Sequence, residues 1–77
     1  MISMAKKNAE PEKVIVYTVE VGHGYTGLNV REKPSTASMV LYVAPNGSMV
    51  KPDDTIVAPE GWIAVQGGGF VLKEYLR

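Results

Sequence analysis

The sequence predicts an all-β fold, a small barrel. Short runs of β-branched and aromatic residues recur along the chain, as in Val14–Val21 and Met39–Ala44. Glycine- and proline-rich turns separate them, among them Gly22–Gly27, Pro45-Asn46-Gly47 and Gly67-Gly68-Gly69. No stretch shows the helical spacing of apolar residues. Short strands joined by tight turns in a chain this small close most economically into a barrel, which also limits exposed strand edges.

Each element follows from local composition. Residues 1–13 are polar, carry mixed charge and include Pro11, so they read as an N-terminal arm, flexible or ordered by a partner, ahead of a barrel spanning 14–77. Val14–Val21 predicts a long first strand, with Ile15, Tyr17, Val19 and Val21 on one face and Val14, Val16, Thr18 and Glu20 on the other. Three glycines between Gly22 and Gly27 predict a loop. Leu28–Arg31 is a short strand that ends before Pro34. A polar loop over 32–38 leads into a strand over Met39–Ala44, then the Pro45-Asn46-Gly47 turn and Ser48–Lys51. After a turn at Pro52-Asp53-Asp54, Thr55–Ala58 and Gly61–Gln66 predict a hairpin around Pro59-Glu60-Gly61. The glycine triplet then turns the chain into Phe70-Val71-Leu72.

Composition narrows the function classes. With 77 residues the chain makes one small domain, and such a domain buries only about 60–65% of its unfolded surface. It has no cysteine, so neither disulfides nor thiolate metal sites supplement the core. Eight positive and eight negative side chains cancel, which leaves no basic footprint for nucleic acid. No segment approaches the length of a membrane span, and the N-terminus lacks the apolar stretch of a secretory signal. The expectation is a chain made in the cytoplasm, with no membrane partner.

Catalytic patterns are weak, and the expectation is a protein that is not an enzyme and needs no cofactor or metal. His23 is the sole histidine. Pairing it with Ser35, Ser38 or Ser48 and Asp53 is arithmetic rather than pattern, because a nucleophile, base and orienting group must converge. The Gly67–Gly69 run lacks the lysine and following helix of a phosphate loop. Asp53-Asp54 lacks the alternating oxygens of a calcium loop.

One resemblance organises these pieces. Leu28-Asn29-Val30-Arg31, Pro34-Ser35-Thr36, Gly61-Trp62, Gly69-Phe70-Val71 and Tyr75-Leu76 appear in the order and at the spacing of a bacterial SH3-type domain. The chain resembles that family over roughly residues 14–77. The resemblance implies an SH3-like barrel of five to seven short antiparallel strands with a 3₁₀ turn at Lys73–Leu76. It also implies structural roles for Phe70 and Tyr75, which close the barrel, and for Arg31, whose stem lies along the barrel and whose guanidinium pairs with Glu20 or Glu74. Glu32-Lys33 stands where the family has a small Ser-Gly pair, which alters the flexibility and charge of that loop.

The family is typically attached to cell-wall hydrolases and holds peptidoglycan stems or cross-bridges in a shallow groove. The resemblance therefore implies peptide binding, with peptidoglycan or a protein peptide as partner. Aromatic residues on loops over a rigid scaffold commonly serve recognition, which singles out Tyr25, with His23 beside it as a hydrogen-bonding neighbour. Trp62 suits either a half-exposed groove wall or a core position, and Asn29 belongs to the signature strand. The ligand-binding candidates are thus His23, Tyr25, Asn29 and Trp62. A chain with no attached enzyme and no export signal is expected to be a domain excised from a longer protein, to bind a protein partner inside the cell, or to reach a wall by release at lysis or by carriage on a particle. The alternative is therefore a docking or decoration subunit of a larger assembly, such as a phage or phage-like particle, whose arm and first strand contact neighbouring subunits.

Overall fold

A computed structural model describes residues 15–77. The predicted arm over 1–13, and Val14 after it, lie outside these residues. The chain forms six short antiparallel strands: β1 (Tyr17–Thr18), β2 (Gly27–Arg31), β3 (Val40–Pro45), β4 (Met49–Val50), β5 (Trp62–Ala64) and β6 (Phe70–Leu72). A 3₁₀ turn, Lys73–Tyr75, follows β6 directly. β1 pairs with β4, and the other four strands form one sheet in the order β3-β2-β6-β5. This is the all-β barrel predicted from the sequence, with its strand number and its closing 3₁₀ turn.

Backbone bonds between the sheets close the barrel. The segment after β1 lies between the C-terminus and the turn before β4. Thr18 and Arg77 exchange reciprocal N–H to carbonyl bonds of 2.9 Å, and the Val19 N–H donates to the Ser48 carbonyl at 2.9 Å. On the other side, the Asp53 N–H donates to the Ala64 carbonyl and the Gln66 N–H to that of Lys51, joining the end of β4 to β5.

The core consists of small β-branched and aliphatic side chains. Val19, Val30 and Val71 are at most 1% exposed, and Leu28, Ala44, Val50, Val65 and Leu76 complete the cluster. Alternation along β2 puts Leu28 and Val30 inside while Asn29 faces out. Tyr17 and Val21 pack against the same core as Val19, so this face of the first segment is the inward one, although Ile15 is exposed.

Three local expectations differ from the structure. The first strand is much shorter than Val14–Val21, because its partner β4 offers only two residues to pair with. Thr55–Ala58 forms no strand. The Asp53 carboxylate accepts both the backbone N–H and the hydroxyl of Thr55, at 3.0 and 2.5 Å, and the turn so made carries Val57 outward to 96% exposure. β5 pairs instead with β6, Trp62 opposite Leu72. Arg31 pairs with neither Glu20 nor Glu74. Glu20 meets Arg77 at 3.3 Å, while the Arg31 Nη1 donates to the Ser38 carbonyl at 2.9 Å and pins the 32–38 loop.

Candidate functional site

β2 and β6 share a single pair of Cα partners, Arg31 and Phe70. A groove of about 200 Å³ is lined by both strands. Its floor comes from β2 (Asn29, Arg31) and from Leu72 of β6; Tyr25, Trp62 and Tyr75 are its aromatic walls. The volume is below the roughly 300–1,000 Å³ of a pocket that engulfs a small molecule. It suits a ligand that lies along the surface.

Three of the four sequence candidates converge here, Tyr25 and Asn29 from one stretch of the chain and Trp62 from a distant one. Tyr25 comes from the loop between β1 and β2 and is 71% exposed. Asn29 faces outward from the middle of β2, opposite Val43 of β3. Trp62 opens β5 and is half-buried, which places its ring in the groove wall rather than the core. His23 does not join them. It lies in an adjoining, more polar depression lined by Gly22, Gly24, Tyr25 and Asn46.

The loop carrying Tyr25 is fastened at its base. The Asn46 side-chain oxygen accepts the Val21 N–H at 3.0 Å, and the Asn46 N–H donates to the Thr26 carbonyl at 3.0 Å. One residue of the β3–β4 turn thus holds both ends of the loop, one through its side chain and the other through its backbone. Among the described residues, neither the Asn29 amide nor the Trp62 indole N–H has an intramolecular side-chain hydrogen bond. At the rim, a hydrogen bond to the neighbouring Glu74 carboxylate, and then the repulsion between that charge and a phenolate, hold the Tyr75 hydroxyl above its ordinary pKa.

Arg31, Leu72 and Tyr75 are groove residues that sequence reasoning assigned elsewhere or passed over. Alternation held the signal for Leu72: Val71 is the buried centre of β6, so Phe70 and Leu72 face the other way. Arg31 shares the outward face of Asn29, two residues along the same strand.

The remaining chemistry-bearing residues stay dispersed. The Ser48 hydroxyl donates to the Pro45 carbonyl, while the Ser35 and Ser38 hydroxyl oxygens accept the N–H groups of Ala37 and Lys33. None of them lines the depression that holds His23. Among the described residues no three His, Cys, Asp or Glu side chains converge as a metal site, and no helix is long and apolar enough to cross a membrane. A wider hollow of about 620 Å³, bordered by Tyr42, Val43, Met49 and Val50, contains none of the four candidates. Comparison with family models, curated proteins and solved structures finds no match.

Proposed function

We propose that this chain is a non-enzymatic binding module of the bacterial SH3 type, which takes a short extended peptide, such as a peptidoglycan stem or cross-bridge, into the Tyr25–Trp62 groove. The observation that carries this reading is the convergence of Tyr25, Asn29 and Trp62 on one surface groove. Aromatic walls supply contact area at little entropic cost, and the unpartnered Asn29 and Trp62 donors match the carbonyls of an extended backbone. A groove this small gives weak binding for a single domain, and attachment to a larger particle or enzyme would raise it through effective concentration. The setting that fits is the cell wall.

Co-sedimentation with insoluble peptidoglycan tests the proposal. The full chain is expected to be retained, and Tyr25→Ala to be lost from the pellet while its stability changes by no more than about 0.5 kcal/mol, as befits an exposed loop residue. Equal retention of the two proteins would remove the groove as the site. No retention of either would favour a docking subunit of an assembly.

A further inference from the structure

We propose that the ligand of this groove is a peptide bearing a free carboxylate, and that Arg31 receives it; the inference rests on the groove reading above. Arg31 is the one charged side chain among the residues that line the groove. No carboxylate answers it: the ion pair among the described residues joins Glu20 to Arg77. Its guanidinium is nevertheless positioned, because Nη1 donates to the Ser38 carbonyl at 2.9 Å. The rest of the planar fork has no partner among the described residues. A fixed, half-buried guanidinium with open donors matches the two oxygens of a carboxylate.

The rest of the groove sets the direction of the ligand. β6 runs antiparallel to β2, so the chain passes from Phe70 beside Arg31 toward Tyr75 at the Gly27 end. Glu74 lies beside the Tyr75 hydroxyl and repels a carboxylate from that end. Between the two ends β2 spans about 13 Å, room for about four extended residues. Asn29 lies midway, with its amide free. An extended peptide therefore sits with its carboxylate at Arg31 and its preceding residues running toward Tyr75.

The test is an NMR titration of the full-length chain with two probes, diacetyl-Lys-D-Ala-D-Ala and the same peptide with its C-terminus converted to a carboxamide. The acid is expected to shift the Tyr25, Asn29 and Trp62 resonances and to bind at least about tenfold more tightly than the carboxamide, the difference expected of one bidentate charge-assisted contact. Arg31→Gln is expected to abolish that preference. The comparison of the two probes on the unmodified chain needs no variant, so it stands even where Arg31→Gln loosens the 32–38 loop. Equal affinity for acid and carboxamide, with shifts in the groove, would overturn the carboxylate inference and leave the groove reading intact. Absence of groove shifts with either probe would overturn both.

Discussion

Trp62 and Tyr25 line the same groove but are held in different ways, and this separates their roles in stability. Trp62 packs partly against the sheet and pairs across it with Leu72. Trp62→Ala is expected to weaken ligand binding and to cost about 1–2 kcal/mol in a urea titration, below the roughly 3–5 kcal/mol of a fully buried tryptophan. Residue type alone left Trp62 open between wall and core. The question turns on which strand pairs with β5: composition predicts Thr55–Ala58, and the structure pairs β5 with β6. The turn that stands in place of the predicted strand carries its own testable signature. Two hydrogen bonds from Thr55 hold the Asp53 carboxyl below its ordinary pKa. A carboxylate whose folded-state pKa is depressed contributes stability that is present above its unfolded pKa and lost as pH falls through the folded value. Thr55→Val removes the hydroxyl and leaves the backbone donor, so the Asp53 midpoint in a carboxyl NMR titration is expected to rise part of the way toward its ordinary value. An unchanged midpoint would show that the hydroxyl has no part in the depression.

At the scale of elements, turns proved more legible than strands. Glycine runs marked the loops because the backbone there needs conformations that other residues resist. Gly69, which introduces β6, has φ of 108°, and a side chain at that position would run into Val30. Gly69→Ala therefore combines backbone strain with a clash against the core, and is expected to lower stability by about 1–3 kcal/mol, read as a lower urea midpoint. Strand lengths were less legible, because they depend on the partner. Val14–Val21 has strand composition throughout, yet β4 supplies two pairing residues and the ladder stops there. Beyond it the chain turns to the C-terminus, where Val19 bridges Leu76. The groove shows the same division. Its aromatic walls are visible as residue types, whereas its floor joins Asn29 and Arg31 of β2 to Leu72 of β6, a tertiary feature with no local sequence mark.

The whole molecule depends on its last residues. Burial of Val19, Val30 and Val71 gives each about 1.5–3 kcal/mol, and a domain this small has little else to draw on. Leu76 is buried in the same cluster. It also lies within the run of backbone bonds from Tyr75 to Arg77 that ties the chain end to Thr18 and Glu20. Leu76→Ala removes a buried side chain from the seam that closes the barrel, where few neighbours can collapse into the gap. The expected loss is about 2–5 kcal/mol. Because the seam joins the two sheets, that loss should appear as a lower urea midpoint with an unchanged slope, the signature of one cooperative unit. A shallower slope would mean that the seam opens on its own. Tyr75 of the groove precedes Leu76, and its carbonyl accepts the Glu20 N–H at 2.8 Å, so seam and groove share backbone. Under conditions where Leu76→Ala remains folded, ligand binding at Tyr25 and Trp62 is expected to persist, since their elements are anchored by Asn46 and by β6. Loss of binding in a demonstrably folded Leu76→Ala protein would show that the 3₁₀ turn and its aromatic wall depend on the seam.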